Sequence, residues 1–269
     1  MTNTLIRILL ILTALLYCGA FVLSLEKVRA ALGRDKPKRA AVLSNAVYGA
    51  ALLLNAGMIV YNYLVNLIAK GKVGFIPFVS MYQILIFLAL CFFPAYLFID
   101  KVCGCKGYKP YFILPSAVVM TGPCFMDIAA EWNFVPALQS PFFIPHIMCY
   151  ILSYSLAAVA MLITLRAVIT KEDHDKAISW CTRILFPFMT AGIFLGAIWA
   201  DQVWGEFWAW DVKESWSLAT WLCYAVTLHL FRREKTKKYA RVLTLIGFAL
   251  VVVTFFYSNV LKVQSVHSY

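Results

Sequence analysis

Three of the four histidines lie where an imidazole is placed to bind a metal ion. His146 follows Pro145 in PALQSPFFIPHIMCY, and proline favours the first position of a helix, which places His146 in the first turn. The positive end of the helix dipole there disfavours a charged imidazolium, and a neutral imidazole is a good ligand. His267 lies in the C-terminal VQSVHSY and His229 in YAVTLHLFRRE. Taken singly, each is better explained as an interfacial histidine bonded to water or a lipid headgroup.

The tryptophans are concentrated in one segment, and this arrangement favours the ligand interpretation of the histidines. Six of the eight tryptophans fall within residues 199–221. Four of them belong to WGEFWAWDVKESW: Trp204, Trp208, Trp210 and Trp216. An aromatic belt would recur at both membrane faces, so the clustering favours a platform for a large flat ligand. If the segment is helical, Trp204, Trp208 and Asp211 share one stripe of an amphipathic interfacial helix.

The acids of this segment have two explanations. Asp211 followed by Glu214 fits a helix N-cap with a glutamate three positions later, and it fits equally a direct ligand role. Lys213 is the one basic residue of the connection. It is placed to meet either a ligand carboxylate or a lipid phosphate.

The composition requires that these residues be held by membrane helices. The chain has 269 residues, is 62% hydrophobic and 14% charged, and has a mean hydropathy of +0.79. Soluble domains are much less apolar. We predict one all-α polytopic membrane domain over residues 1–269, with its tryptophan-rich segment at 201–217. Eight apolar stretches are long enough to span a bilayer: 5–25, 41–69, 82–99, 109–126, 145–169, 181–200, 216–231 and 240–261.

The net charge of +11 reflects the membrane topology of the chain and does not indicate a nucleic-acid partner. The basic residues concentrate in alternate connections: 26–40, 100–109, 171–176 and 232–241. By the positive-inside rule these connections are cytoplasmic and both termini face outward. His146, His267 and the tryptophan segment then share the outer side, and His229 lies near the cytoplasmic side.

The cysteines do not predict a disulfide framework. Most lie within apolar helices, where cysteine behaves as a small hydrophobe. Cys103 and Cys105 form a C-x-C in a predicted cytoplasmic loop, which is a reducing compartment. With no histidine or further cysteine nearby in the sequence, this pair is a weak candidate for a metal site.

The tryptophan segment and its continuation, WGEFWAWDVKESWSLATWLCYAVTLHL, resemble the WWD signature of the haem-handling proteins of cytochrome c maturation. Within that superfamily the chain resembles the CcsA (ResC) family of the system II cytochrome c synthase. The stretches VPALQSPFFIPHI, GFIPFVSMYQILIFL and SNVLKVQSVHSY agree, so the resemblance covers about residues 40–269. Val212 and Ser215 stand where proline and threonine are common, and Tyr82–Gln83 where an acidic residue is frequent.

The resemblance implies a haem site with defined ligands. His146 and His267 would be the two axial ligands of a haem b at the outer face, and His229 one ligand of an inner site. The haem-binding segment would be formed by Trp204, Trp208, Trp210, Asp211 and Trp216. Because no second histidine suits the inner site, its other ligand would come from a CcsB (ResB)-like membrane protein.

The resemblance also implies a function in the bacterial cytoplasmic membrane. The chain would export haem and present it to apocytochrome c, whose C-x-x-C-H thiols other proteins would keep reduced. It offers no nucleophile or acid–base pair, so it would act by presentation within a haem–apocytochrome c ligating complex. Two alternatives stay open: a CcmC-like subunit that passes haem to a chaperone, and a non-haem transporter or structural subunit.

Overall fold

The computed structural model describes residues 3–25, 37–70, 78, 80–105, 107–126 and 136–260, so His267 lies outside the described residues. Within these ranges the chain forms eight α-helices and no strand, which confirms the predicted all-α membrane fold. Each helix overlaps one predicted apolar stretch. The helices are α1 Asn3–Ser24, α2 Pro37–Lys70, α3 Met81–Leu97, α4 Lys109–Thr121, α5 Phe143–Thr170, α6 Asp175–Trp204, α7 Val212–Leu230 and α8 Lys237–Val260.

Six of these helices are long and apolar enough to cross a membrane: α1, α2, α3, α5, α6 and α8. The chain is therefore a multi-pass membrane protein. Helix α4 has 13 residues, and α7 carries Lys213 and Glu214 in its first turn, which lowers its apolar content. The predicted count of eight spans is therefore not confirmed. The orientation of the termini stays a prediction.

The described helices fall into two compact units, of which the first contains α1 to α4. Its core holds large buried side chains such as Tyr17, Ile86 and Met120. The amide of Asn55 donates to the Tyr17 hydroxyl at 3.1 Å, because a buried polar group in an apolar helix needs a partner. Helix α3 begins with a capping box in which Gln83 bonds to Ser80, so Gln83, which stands where an acidic residue is frequent, is part of a helix cap.

The second unit contains α5 to α8 together with Cys103–Cys105. Helices α5 and α6 pack against each other, α7 packs against α8, and α5–α8 and α6–α7 contacts close the group. Short connections make successive helices antiparallel. The start of α5, the end of α6, the start of α7 and the end of α8 therefore share one end, called here the His146 end. The opposite end is called the His229 end.

Polar contacts join the helices of the second unit at two levels. At the His229 end the buried carboxylate of Asp175 on α6 accepts from Arg241 Nε on α8 at 2.7 Å. Near the middle of α7, Trp221 Nε1 donates to the Thr190 hydroxyl on α6 at 2.8 Å. The Trp221 indole also stacks on Phe186 with the ring centroids 5.4 Å apart. These bonds fix the register of α6 against α7 and α8.

Replacing Asp175 by alanine is expected to loosen the His229 end. The substitution removes the closest charged partner of the Arg241 guanidinium and leaves it Asp173 at 3.9 Å, which costs about 2 kcal/mol of unfolding free energy. Asparagine keeps one acceptor oxygen and should recover about half of that loss. Thermal unfolding of the purified protein in detergent measures both, and equal melting temperatures for wild type and Asp175→Ala would contradict the assignment.

Candidate functional site

His146 is the fourth residue of α5, so it lies in the first helical turn as predicted, although Pro145 is the third residue and not the first. Its ring nitrogen Nδ1 lies 2.8 Å from the carbonyl oxygen of Gly192 on α6. A carbonyl oxygen only accepts hydrogen bonds, so Nδ1 carries the proton in this contact. In the neutral ring the lone pair is then on Nε2, the nitrogen able to bind a metal.

Two glycines of α6 allow this close approach. A Cβ atom at Gly196 would lie 2.5 Å from His146 Cε1 and 2.7 Å from Nδ1. A Cβ atom at Gly192 would lie 3.0 Å from ring carbons of Tyr150. The two glycines are four residues apart and face two rings that are also four residues apart, as in close helix pairs of membrane proteins. The position of His146 therefore depends on the absence of side chains at both sites.

An aromatic layer lies beneath His146. The ring of the buried Trp199 has its centroid 5.7 Å from that of His146, with 35° between the planes. Trp204 packs edge-on against Trp199 with 5.0 Å between centroids, and Phe143 lies 5.2 Å from Trp199 on the α5 side. The structure thus brings together His146 and Trp204, two of the predicted site residues, through a third ring.

Tyr150 connects His146 to α7. Its ring meets His146 edge-on at 5.1 Å, and its hydroxyl lies within hydrogen-bonding reach of Ser217. Ser217 follows Trp216, so the start of α7 lies one helical turn from His146 on the α5 surface. The two ends of the tryptophan segment are therefore each linked to His146 through one intervening ring: Trp204 through Trp199, and Ser217 at the start of α7 through Tyr150.

Sequence reasoning did not include Trp199, Tyr150, Gly192 or Gly196 in the site. The sequence offered one indication that Trp199 belongs to the site: it is part of the same cluster of six tryptophans and lies five residues before Trp204. The glycines and Tyr150 had no such signal, because their roles arise only from the packing of α5 against α6.

The tryptophan segment is not one helix. Helix α6 ends at Trp204, and Gly205 follows with φ +78°, a left-handed conformation that suits glycine and terminates the helix. Residues 205–211 form a loop, and α7 begins at Val212. The predicted stripe through Trp204, Trp208 and Asp211 is therefore wrong, because Gly205 breaks the helical period between them.

The loop holds its two tryptophans differently. Trp208 and Trp210 meet edge-on with centroids 5.9 Å apart. The Trp208 Nε1–H is buried and has no hydrogen-bond partner among the described residues. Trp210 is 69% exposed and has φ +56°, which is rare for a residue with a Cβ atom. A buried donor without an acceptor and an exposed indole in one loop are both features of a ligand site.

The acids bond to the backbone of this loop. Asp211 Oδ1 accepts from the Glu214 N–H at 2.7 Å, and Glu214 Oε2 accepts from the Asp211 N–H at 3.3 Å. These bonds form a capping box, which confirms the predicted helix cap. A direct contact of Asp211 with a ligand stays a prediction.

Lys213 is a partly desolvated cation at the start of α7. Burial lowers its pKa, and the Asp211 carboxylate opposes part of that shift. In the described part of the chain no carboxylate lies within ion-pair distance of Lys213. A negatively charged ligand group beside Lys213 would therefore be favourable.

The remaining predicted metal ligands lie elsewhere. His229 is exposed on α7 at the opposite end of the unit, on the face that also carries the exposed Leu222 and Val226. The structure does not bring His229 together with His146. Cys103 and Cys105 are buried free thiols. Over the residues the structure describes, no group of three or more His, Cys, Asp or Glu side chains is arranged to hold a metal ion.

The fold and the site define a class of protein. It is a multi-pass helical membrane protein in which one of the two compact units packs a histidine against tryptophan rings, beside a tryptophan-rich loop. The chain belongs to the Cytochrome C assembly protein family, whose model matches residues 44–265. This membership gives the chain a role in cytochrome c assembly, and the CcsA relatives that it matches confirm the resemblance to the CcsA family.

Individual relatives agree with this membership. The chain is 32% identical over 234 residues to the cytochrome c biogenesis protein CcsA of Chlamydomonas reinhardtii, covering 77% of this chain and 64% of that relative. It is 28% identical over 259 residues to CcsA of Mesostigma viride, covering 79% of this chain and 84% of the relative. Among solved structures, cytochrome c heme lyase CcmF matches 95% of this chain and 47% of its own, with a TM-score of 0.69 and 19% identity. That likeness shows the fold alone.

Proposed function

We propose that the chain carries haem b across the membrane and holds it at the outer face for covalent attachment to apocytochrome c. The observation that carries the proposal is the placement of His146. Its Nδ1–H is bound to Gly192, its Nε2 bears the lone pair, and its ring packs on Trp199 next to the tryptophan loop. This arrangement suits a flat macrocycle with a metal at its centre.

Other groups of the His146 end fit the same ligand. The buried Trp208 Nε1–H offers a donor, and Lys213 offers a positive charge, so both suit the carboxylates of a porphyrin. Trp204, Trp210 and Trp216 offer indole surface for its apolar faces and edges. Asp211 completes the proposed haem-binding segment by fixing the end of the loop to α7.

The course of α8 supports His267 as the second axial ligand. Tyr154 on α5 contacts Phe255 on α8, with ring centroids 6.4 Å apart. His146 lies two helical turns, about 12 Å, beyond Tyr154 toward the His146 end. Helix α8 runs in the same direction to Val260, and His267 follows seven residues later. Seven residues reach at most about 24 Å, which is enough to return to the ring of His146.

The attachment reaction requires of this chain only that it position the haem against the apocytochrome. Each cysteine thiol of an apocytochrome C-x-x-C-H adds across one vinyl group, so its sulfur forms a C–S bond and its hydrogen goes to the neighbouring carbon. The substrate provides the thiols, which other proteins keep reduced. Holding the macrocycle with its vinyl edge toward the incoming peptide turns an encounter between two molecules into a reaction of adjacent groups.

His229 is proposed as a ligand of an earlier haem position. It lies on an exposed face of α7, so a side chain from another protein can approach it. We propose that a CcsB-like membrane protein supplies the second ligand there. The site would lie near the cytoplasmic face of a bacterial membrane, at the opposite end of the unit from His146.

Replacing His229 by glycine is expected to lower haem occupancy of the His146 end several-fold when the partner is present. The reason is that haem would reach the outer site through the inner one. Haem per protein in the purified complex, measured by absorbance, checks this expectation. Leu222→Ala is a matched control on the same exposed face of α7. Wild-type occupancy in the His229→Gly complex would argue against a relay.

The function is tested in cells that lack their own cytochrome c assembly proteins. The chain is expressed with a CcsB-like protein and a secreted apocytochrome c reporter. We expect covalent haem on the reporter only when all three are present, and none when both cysteines of the reporter's C-x-x-C-H are serine. A chain found in the membrane beside its partner and an intact reporter without covalent haem would contradict the proposal.

A further inference from the structure

We infer that Glu214 is the positioning residue of Trp210: it holds the loop backbone so that this indole projects out of the protein. The identity of the ligand that the indole meets rests on the proposed function. The positioning itself rests on contacts within the chain.

The carboxylate of Glu214 bonds to the backbone on both sides of Trp210. Its Oε2 atom accepts from the Ala209 N–H at 2.9 Å and from the Asp211 N–H at 3.3 Å. The carbonyl oxygen of Trp210 itself accepts from the Ser215 hydroxyl at 3.4 Å. Two side chains of the first turn of α7 therefore hold three consecutive residues of the loop.

Helix capping explains only part of this arrangement. A capping box needs the Glu214 carboxylate to accept from the N-cap residue, Asp211. The Ala209 N–H is two residues earlier and outside that motif, yet it makes the shorter bond of the two. The second bond closes the backbone around Trp210, which a helix cap alone does not require.

The conformation of Trp210 needs such support. Its φ of +56° places it in the left-handed region, where a residue with a Cβ atom is strained. Among the described residues one other non-glycine has a positive φ, Lys171, and it terminates α5 at a common position for this conformation. Trp210 terminates no helix. A strained residue at a loop tip persists when its neighbours hold it and is often functional.

The Trp210 indole is therefore held at the protein surface. Trp210 is 69% exposed, while Trp208, two residues before it, has a buried Nε1–H. Within the proposed function, Trp210 would lie against one face or edge of the porphyrin as a fixed aromatic surface, and Glu214 would never contact the ligand. By holding the loop in one conformation before binding, Glu214 would lower the entropic cost of ordering the loop when the ligand binds.

The first test uses haem-free protein and therefore does not depend on haem binding. Protein labelled with 5-fluorotryptophan gives one fluorine resonance per tryptophan, and Trp210→Phe assigns the resonance of Trp210. In Glu214→Ala we expect that resonance to shift and sharpen toward the value of free tryptophan, because the loop becomes mobile. In Glu214→Gln we expect it to stay, since the amide oxygen accepts the same bonds.

Glu206→Ala is the matched control. Glu206 is an exposed acid of the same loop, so the substitution removes the same charge without removing a bond to the Trp210 neighbours. We expect the Trp210 resonance to be unchanged in this variant. A Trp210 resonance that is unmoved in Glu214→Ala would overturn the inference, as would one that moves equally in Glu206→Ala.

The second test measures the strain. Glycine at position 210 adopts the left-handed conformation without cost. Glu214→Ala should then lower the melting temperature less in the wild-type background than in the Trp210→Gly background, because release of the Trp210 strain offsets part of the lost bonds only when Trp210 is present. Equal reductions in both backgrounds would show that Glu214 only caps α7, and would also overturn the inference.

The third test concerns the ligand. In Glu214→Ala we expect haem retention to fall about tenfold while the position of the Soret band stays as in wild type, because His146 is untouched. Retention at the wild-type level would refute the role of Trp210 in holding haem. If no variant, wild type included, binds haem, the proposed function fails, and the fluorine resonances still decide whether Glu214 positions Trp210.

Discussion

Replacing Gly196 by alanine is expected to remove haem from the outer site while leaving the chain folded in the membrane. The added methyl group would lie 2.5 Å from His146 Cε1, well inside van der Waals contact, so the imidazole must move. Its movement breaks the 2.8 Å contact of Nδ1 with Gly192 and shifts the ring from Trp199. We expect the outer-site part of the Soret absorbance per protein of the purified complex to fall at least tenfold.

Gly49→Ala is the control for the glycine substitution itself. Gly49 lies inside α2, and a Cβ atom there would have no heavy atom within 4 Å. The exchange should leave haem unchanged and raise helix stability slightly, by up to about 1 kcal/mol. A full Soret band in Gly196→Ala, with normal membrane levels, would show that His146 does not bind the haem iron from this position.

Replacing either of the two proposed histidine ligands by alanine is expected to have the second large effect on bound haem. We predict that His146→Ala or His267→Ala loses outer-site haem and cytochrome c synthesis by at least tenfold, since each deletes one of the two proposed axial ligands of the iron. Added imidazole should partly restore both readouts, because alanine leaves a space that the free ring can enter.

Rescue by imidazole separates a missing ligand from a misfolded chain. A variant that is unfolded would gain nothing from imidazole, whereas one that lacks only a ligand would recover part of its haem spectrum. Gly196→Ala provides a further contrast, because its space is already filled by the displaced His146 ring, and imidazole should help it less. Unchanged haem spectra and unchanged cytochrome c yield in both histidine variants would refute the ligand assignment.

The helices themselves could be predicted from the sequence because apolar runs of membrane length have few alternatives. All eight predicted stretches overlap a helix in the described residues. The cap at the start of α7 was also predictable, since Asp211 and Glu214 form a local motif that needs no tertiary contact. Whether α4 and α7 cross the membrane was less predictable, because α4 is short and α7 begins with charged residues.

The loop between α6 and α7 shows where periodicity misleads. Trp204, Trp208 and Asp211 have helical spacing, but Gly205 lies between the first two and adopts a left-handed conformation. A glycine inside an apparent helical pattern is compatible with either continuation or termination. Here Gly205 terminates α6, and the bond from the Ala209 N–H to Glu214 that shapes the following loop is not part of the capping motif that the sequence shows.

The position of His146 depends on residues that its own segment does not reveal. Gly192 and Gly196 are about fifty residues later and resemble other small residues of membrane helices. Their role follows from the register of α5 against α6, which brings both glycines opposite His146 and Tyr150. The sequence therefore indicated the residue types of the candidate site, and helix packing supplied the geometry on which the proposed ligand role of His146 rests.

The central claim is that His146 binds the iron of a haem held at the tryptophan loop, and the optical spectrum of the purified chain with its CcsB-like partner tests it most directly. Protein from haem-replete cells should show a Soret band and the sharp reduced bands of a low-spin haem with two nitrogen ligands. In His146→Ala the outer-site part of that spectrum should be lost and partly restored by imidazole. A wild-type complex without a Soret band, or a spectrum that His146→Ala leaves unchanged, would contradict the claim.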